Sequence, residues 1–332
     1  MELEIQYSKK TYVCRNVTNV MIKIGVTGDF FEMEKEIRLL KEMSEFSLTG
    51  IYHYDTKLLK EFSANHDLPC FFSSGSFIGS CDAIDIAGNN GNETRFYAEI
   101  LKSSKHLIVD FPDISLMHRL GHLIKLASEA KVIMQVRNPY CFNPVYRACL
   151  PRINNPAVIE LQMEIKDGSE LENQAILSID LIRDMVRSNT HKVNASGISV
   201  AGKKVDYLTA RIEFDNGSIA NLTIHQLSDS TSLTVKIYQQ GNFILINFPE
   251  KDCYIKKIPS SLFPRSNADD YEQILPEINH SNPGKEELKQ FRNAIDQKFS
   301  TGIDIERALQ SIDIYREIVE KINRTTFHPL QN

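Results

Sequence analysis

A glycine turn between a strand and a helix is the most chemically suggestive pattern near the start of this chain. The β-branched run Ile22–Val26 leads to Gly28, and apolar residues at helical spacing follow directly. Such a unit holds phosphate on the N–H groups of a helix N-terminus, with the spacing G-x-G-x-x-G. Gly28 stands at the first glycine position, while Phe30 and Met33 replace the other two. The sequence therefore predicts a dinucleotide-binding type of unit in which larger side chains stand at two of the three glycine positions that approach the phosphate.

Two acidic residues at the start of the same helix support a different interpretation. Asp29 stands at the N-cap position and Glu32 follows three residues later, which is the spacing of a capping box. Their carboxylates would lie at the positive helix end that otherwise receives phosphate. The pattern favours a capped amphipathic helix, with the ring of Phe30 where a pyrophosphate would approach the backbone.

The composition excludes several classes of protein. The 332 residues predict about two domains, and the net charge of −5 lacks the basic footprint of a nucleic-acid binder. No apolar run approaches the roughly 18 residues of a membrane span. Six scattered cysteines and no signal-peptide core predict a cytoplasmic protein with reduced thiols. His118 and His122 have metal-ligand spacing, but without acidic or cysteine partners nearby an ordinary helix surface is favoured.

Residues 21–138 alternate strand-like and helical patterns, which predicts an α/β domain with a Rossmann-type parallel sheet. Residues 1–20 form either a short N-terminal extension or a gene-start artefact ahead of Met21. The predicted strands are Ile22–Val26, Leu48–Tyr52, Ala83–Ala87, Leu107–Val109 and Lys131–Val136, and the predicted helices are Phe30–Met43, Thr56–Asn65, Thr94–Lys102 and Leu116–Ala130.

Residues 139–332 predict a second, α+β domain with an open, mostly antiparallel sheet and two closing helices. Residues 138–144 are rich in Asn and Pro and are predicted to link the domains, while residues 250–283 are predicted to be irregular. Alternating apolar residues in the segment 205–227 fit either a sheet-face dimer or a helix-covered sheet. The predicted elements are the strands Val158–Ile165, Val205–Phe214, Ser218–Leu227, Ser232–Gln239 and Phe243–Phe248 and the helices Asn173–Arg187, Glu286–Lys298 and Asp304–Asn323.

Three segments of the chain resemble one protein family. Gln135–Pro144 is similar to V-x-x-N-x-R-F-x-P, Lys105–Pro112 to G-K-H-V-L-x-E-K-P, and Phe214–Ser218 to F-x-N-G. These motifs and the order of elements resemble the glucose–fructose oxidoreductase, inositol dehydrogenase and rhizopine-catabolism family, written Gfo/Idh/MocA. The resemblance implies an oxidoreductase that acts on a sugar or cyclitol carbinol with NAD or NADP. It also implies a homodimer or tetramer that forms through the faces of the second sheet.

The resemblance places a nicotinamide cofactor along the carboxyl ends of the first strands. Its phosphate loop corresponds to the turn that contains Gly28, Asp29 and Phe30. The ribose-binding acid is expected at His53, and Asp55 either substitutes for that acid or caps the following helix. Two further cofactor positions follow the predicted strands Ala83–Ala87 and Leu107–Val109, at Asn90 and Asp110.

The catalytic positions that the resemblance implies hold residues unable to perform the family's reaction. The lysine of E-K-P, which assists proton transfer, is replaced by Phe111. In the helix motif D-x-G-x-H-x-x-D, Asn173 replaces the first acid and Leu177 replaces the histidine. The last acid is retained as Asp180. The proton-relay set is therefore not intact.

Two hypotheses follow. In the first, the protein is a non-catalytic homologue that serves as a binding or partner subunit, with a small polyol or sugar as a possible ligand. In the second, it is a divergent NAD(P)-dependent oxidoreductase that acts on a sugar or cyclitol hydroxyl through other residues near the interdomain cleft. The residues expected to line that cleft are Arg137, Asn138, Tyr140 and Asp180, with Asp110 nearby. A pure scaffold is a third possibility.

Overall fold

The structure is a computed structural model that describes residues 21–88, 93–110, 117–166, 171–200, 205–258, 272–297 and 305–325. Two cofactor or catalytic positions predicted from the sequence, Asn90 and Phe111, lie outside the described residues, as do residues 1–20.

The first half of the chain builds a six-stranded, wholly parallel sheet of order β3-β2-β1-β4-β5-β6. The strand order reverses beside β1, which is the switch point where ligands bind in open α/β sheets. The elements are β1 Ile22–Gly28, α1 Phe30–Lys41, β2 Phe46–Tyr52, α2 Thr56–His66, β3 Cys70–Phe71, α3 Ser74–Ser80, β4 Ala83–Ala87, α4 Glu93–Lys102, β5 His106–Val109, α5 Met117–Ala130 and β6 Met134–Val136.

The second half builds an eight-stranded, mostly antiparallel sheet of order β14-β13-β12-β11-β7-β10-β9-β8, in which only β7 and β10 are parallel neighbours. The α/β fold class with these two kinds of sheet is confirmed. The elements are α6 Pro144–Cys149, a 3-10 turn Leu150–Arg152, β7 Val158–Lys166, α7 Leu171–Val186, β8 Thr190–Ile198, β9 Tyr207–Phe214, β10 Ile219–Ser228, β11 Ser232–Gln239, β12 Asn242–Asn247, β13 Asp252–Lys257, β14 Gln273–Ile274, α8 Pro283–Gln297 and α9 Ile305–Thr325.

Helices cover only one face of the second sheet among the described elements. The alternating apolar side chains of β9 and β10, such as Leu208, Ile212 and Leu222, are buried, and α7 packs against β7 and β10. The apolar alternation in the segment 205–227 therefore reflects the helix-covered face. The opposite face carries polar and charged side chains together with larger apolar and aromatic ones such as Tyr238, Phe243 and Leu245. Oligomer formation through it stays a prediction.

The chain returns to the first sheet after the second is complete. Leu288 and Phe291 of α8 are buried in the same apolar cluster as Ile24 and Met33, while α9 packs against α7 and β8. Buried side chains of the two sheets also form one continuous cluster. The boundary predicted near residue 138 stays a prediction.

Several short or polar elements were absent from the sequence prediction, namely β3, α3, α6 and β8. The prediction that residues 250–283 are irregular is wrong for β13 and β14. The strand β8 was missed because its sequence lacks an apolar alternation: only Val193 and Gly197 of this strand are buried. Among the described residues, no helix combines the length and apolar character needed to cross a membrane.

Candidate functional site

The turn after β1 places Gly28 against the end of β4. Its φ is +134°, and a Cβ atom added there would stand 1.9 Å from the carbonyl oxygen of Ala87. The N–H of Asp29 donates to the same oxygen at 2.9 Å. The approach of the two strands therefore requires glycine at this position whether or not a ligand binds.

The side chain of Asp29 closes the N-terminus of α1. Its Oδ1 accepts hydrogen bonds from the N–H groups of Phe31 at 2.9 Å and Glu32 at 3.3 Å. These are among the free donors that a helix N-terminus offers to phosphate. The predicted N-cap is confirmed, but the reciprocal capping box is wrong. The carboxylate of Glu32 pairs with Lys35 at 2.8 Å, and the N–H of Asp29 is used by β4.

The ring of Phe30 turns toward β2 and α2. Its centroid lies 4.4 Å from that of His53 and 5.0 Å from that of Phe62. His53 is buried and its Nδ1 accepts from the N–H of Asp55 at 3.0 Å, while burial lowers the pKa of its imidazole. Asp55 caps α2 through its Oδ1. Phe30 thus fills the ribose side of the crevice implied by the resemblance, rather than the approach to the α1 backbone expected from the sequence.

Arg137 lies directly after β6 and is the centre of an acidic cluster. Its Nη2 donates to Asp85 Oδ2 at 2.7 Å and to Glu36 Oε2 at 3.2 Å. Asp110 Oδ1 stands 3.8 Å from Nη1, and Glu287 Oε2 stands 4.0 Å from Nε. One guanidinium group from the expected cleft is thus shared by four carboxyl groups, from α1, β4, the residue directly after β5, and α8.

Two of these carboxyl groups are deeply buried. Burial raises the pKa of Asp85 to about 7 and that of Glu287 to about 8, although Arg137 opposes both shifts. Asp85 Oδ1 has no hydrogen-bond partner, which is costly for a buried carboxylate. The other oxygen of Asp110 accepts from the N–H of Gly88 at 2.6 Å. The carboxyl ends of β4 and β5 are therefore occupied by an internal network with more acid than base.

Asp180, the acid retained in the helix motif, is fully buried and its carboxylate is saturated. Arg307 of α9 donates Nε to Oδ1 at 2.8 Å and Nη2 to Oδ2 at 3.1 Å. Asn138 Nδ2 donates to Oδ2 at 2.9 Å, and Ser311 Oγ donates to Oδ1 at 3.2 Å. A carboxylate with four such donors has little capacity left for a substrate hydroxyl.

The remaining cleft positions also bond within the protein. Asn138 is fully buried and donates to the carbonyl of Leu177 at 3.1 Å. The hydroxyl of Tyr140 donates to Gln174 Oε1 at 2.5 Å, and burial raises its pKa to about 12. Leu177 is half-buried and Asn173 is half-buried one turn earlier in α7. The linker is thereby attached to α7 at several points.

A nicotinamide dinucleotide does not fit the residues that this crevice presents. Its pyrophosphate needs free N–H groups at the start of α1, yet those of Phe31 and Glu32 are bound to Asp29. Asp29, Glu36 and Asp110 add negative charge on the same side of the sheet. A doubly charged pyrophosphate would therefore meet both occupied donors and like charge.

The described residues contain no cluster of three His, Cys, Asp or Glu side chains arranged to hold a metal ion. Sequence reasoning missed Arg307, Ser311 and Glu287, which hold the predicted cleft residues from distant parts of the chain. Sequence reasoning also missed Asp85, although this residue carried a signal in the sequence. A charged residue inside the apolar run Ala83–Ala87 requires a buried partner.

No family model matches this sequence, and no curated protein matches it significantly. Solved structures match it in fold. UDP-N-acetylglucosamine 3-dehydrogenase from Acidithiobacillus ferrooxidans is 15% identical, with a TM-score of 0.81 over 92% of this chain and 99% of that chain. A dehydrogenase from Clostridium difficile is 14% identical, with a TM-score of 0.76 over 91% and 99%.

Levoglucosan dehydrogenase, solved in complex with NADH and L-sorbose, is 15% identical and has a TM-score of 0.76 over 92% of this chain and 97% of that chain. These structures are dehydrogenases of the type that the sequence resembles, so the predicted two-sheet fold is confirmed. Identities of this size show the fold alone.

Proposed function

We propose that this protein has a dehydrogenase fold but no dehydrogenase activity, and that it serves as a binding or partner subunit. The environment of Asp180 carries this proposal. The one acid retained from the helix motif is buried and held by Arg307, Asn138 and Ser311. It acts as a structural anchor between α7, α9 and the linker.

The neighbouring relay position supports the same conclusion. Leu177 has no titratable group where the resemblance implies a general base. General acid–base catalysis contributes on the order of 10²- to 10⁴-fold to the rate. A side chain that cannot exchange a proton removes that contribution, and the saturated carboxylate of Asp180 does not replace it.

The cofactor crevice supports the proposal independently. Asp29 occupies the N–H groups of α1, and the acidic cluster around Arg137 lies beyond it. A protein in this state has kept the architecture of a Rossmann sheet while using its ligand-binding edge for internal bonds. A small polyol or sugar without phosphate remains a ligand compatible with this charge.

The second candidate function is that of a divergent NAD(P)-dependent oxidoreductase acting on a sugar or cyclitol hydroxyl. The observation in its favour is the parallel sheet with its switch point beside β1, in the fold of a dehydrogenase solved with NADH. Asp110 would be its accessible carboxylate, because 45% of that side chain is exposed.

Calorimetric titration with NADH and NADPH separates the two functions. We expect the wild-type protein to bind neither cofactor with a dissociation constant below about 1 mM, which corresponds to a binding free energy of about −4.1 kcal/mol. Asp29→Ser keeps an N-cap but removes its charge, so any residual affinity should increase in that variant. Asp55→Ser makes the same change at the start of α2 and should have no effect.

Submillimolar binding by the wild-type protein would reject the proposal. Weaker binding after Asp55→Ser would then support the oxidoreductase, because it would assign the ribose contact to Asp55. Reduction of NAD⁺ or NADP⁺ in the presence of cyclitols and sugars would be the corresponding activity measurement.

A further inference from the structure

A second polar cavity lies away from the crevice, where the end of α7 meets the first turns of α9 and the segment before β8. Its volume is about 640 Å³, and three guanidinium groups line it, those of Arg183, Arg187 and Arg307. A smaller cavity of about 290 Å³ adjoins it and shares Arg183 and Asn189. We call the larger cavity the arginine pocket.

Two of its arginines, Arg183 and Arg307, are held in place by hydrogen bonds and ion pairs to other groups of the protein. Arg183 Nη1 donates to the carbonyl of Arg307 at 2.8 Å and to Ser311 Oγ at 3.2 Å. Arg307 is held by Asp180 at 2.8 Å and by Asp184 at 2.7 Å. Fixed charged groups lose little conformational entropy when a ligand binds, so this wall is already organised.

Arg187 differs from these two. It is exposed, and its Nε donates to the carbonyl of Asp184 at 3.2 Å. Within the described part of the chain, its guanidinium forms no ion pair with a carboxylate. Its two terminal nitrogens can therefore donate in parallel to one ligand, the geometry that matches the oxygens of phosphate or carboxylate.

One acid of the pocket, Asp184, is engaged by neighbouring side chains, while Asp215 is exposed. Asp184 pairs with Arg307 and accepts the hydroxyl of Tyr146, and Asp215 lies 3.5 Å from Nδ1 of His191. The C-terminal end of α7 and the N-terminal end of α9 both border the cavity, so their dipoles oppose each other. Counted with Asp180, which holds Arg307, three guanidinium groups face three carboxylates, so the cationic character of the pocket is concentrated at Arg187.

We propose that the arginine pocket binds a small molecule through one oxyanion group, a phosphate or a carboxylate, with Arg187 as its main contact. Ser188 and Asn189 line the same cavity and offer hydrogen bonds to an uncharged polar part of the ligand. The volume lies in the range of about 300–1,000 Å³ found for small-molecule sites. The inference goes beyond the proposed function, because it concerns another surface and holds whether or not the crevice binds a cofactor.

Titration calorimetry with inorganic phosphate and with malonate, at ionic strength held constant with potassium chloride, tests the pocket. We expect millimolar binding of at least one anion by the wild-type protein, and the tighter anion identifies the oxyanion class. Arg187→Gln should weaken binding about tenfold or more, since a hydrogen bond to a charged group contributes about 1.5–3 kcal/mol.

Lys131→Gln is the matched control. Lys131 is also an exposed cation with positive φ directly after a helix, but it does not line the pocket. Its variant should bind both anions like the wild-type protein. Arg187→Gly adds a test of folding, because glycine suits the φ of 53°, and it should lose binding without losing thermal stability.

Three results would overturn the proposal. The first is the absence of binding of both anions to the wild-type protein. The second is unchanged affinity in Arg187→Gln, and the third is an equal loss of affinity in Lys131→Gln. None of these results depends on NADH binding, so failure here is distinguishable from failure of the proposed function.

Discussion

At the scale of single residues, Asp180 stands where the resemblance expects a catalytic acid, and its carboxylate is bound by other groups of the protein. Its position in α7 is the one that the resemblance predicts, yet its partners come from the linker and from α9. Arg307 supplies the opposite charge, and Asn138 and Ser311 supply further donors. Removing one member of such a buried pair leaves the other charge without compensation.

Asp180→Asn should therefore lower the free energy of unfolding by about 3 kcal/mol, measured by urea denaturation. The amide keeps the size of the side chain but cannot balance the charge of Arg307. Asp313→Asn breaks an exposed pair with Arg316 at 3.7 Å and should change stability by less than about 0.5 kcal/mol. Equal effects of the two substitutions would contradict the structural role of Asp180.

At the scale of elements, the unit β1–turn–α1 is determined by contacts within the protein rather than by a ligand. Gly28 allows β1 to approach β4, and the side chain of Asp29 begins α1. The glycine of a phosphate loop and the glycine of a close strand contact have the same sequence signature. Only the distance to Ala87 distinguishes them.

Gly28→Ala should destabilise the protein by about 4 kcal/mol or more, because the new Cβ would overlap the backbone of Ala87. Gly217 also has a positive φ, of 84°, but no atom lies within 4 Å of its added Cβ. Gly217→Ala should therefore cost only about 1–2 kcal/mol of conformational strain. Thermal unfolding of both variants gives the comparison, and similar losses would show that φ alone makes Gly28 necessary.

At the scale of the whole molecule, the cluster around Arg137 joins α1, β4, the linker and α8. Glu287 of α8 accepts from the N–H of Asn138 at 2.9 Å, and Gln135 Nε2 donates to its carbonyl at 3.4 Å. The protonation of this cluster therefore affects how the C-terminal part of the chain is held on the first sheet.

The stability of the protein should fall as the pH rises from 6.5 to about 8. Folding raises the pKa of Asp85 from 3.8 to about 7 and that of Glu287 from 4.5 to about 8, because both groups are buried. In this window the folded chain retains protons that the unfolded chain has released, so the free energy of unfolding decreases with pH. Burial lowers the pKa of His53 and His106, which acts in the opposite direction but below 6.5.

Urea denaturation across this pH window measures the effect. The double variant Asp85→Asn/Glu287→Gln should have a much smaller slope, since neither new side chain titrates. Asp252 and Glu320 are exposed acids, and neutralising both should leave the slope as it is in the wild-type protein. A wild-type stability that is constant or rises over the window would contradict the assignment.

The order of long elements could be predicted from the sequence because their apolar spacing is a local property. One hydrophobic pattern is visible in each of three segments: the run Ile22–Val26, the helix after Phe30, and the alternating strand Ser232–Gln239. The short helix α3 carries two glycines and few apolar residues, and only its contacts with the sheet make it stable. In the strands β8 and β13, charged or small residues interrupt the apolar alternation, so these strands also lack a local signal in the sequence.

The sequence by itself determined the fold class, the N-cap at Asp29, and the absence of titratable groups at Phe111 and Leu177, because these depend on residue type and near neighbours. It left Asp55 open between a ribose contact and an N-cap, and the structure shows the N-cap of α2. Tertiary structure alone decided that Phe30 packs on His53, that Arg137 is shared by four carboxyl groups, and that Arg307 holds Asp180. Arg307 and Asp180 are 127 positions apart, and no local pattern encodes such a pairing. Their contact arises from the packing of α9 against α7, which buries the apolar faces of both helices and brings their charges together.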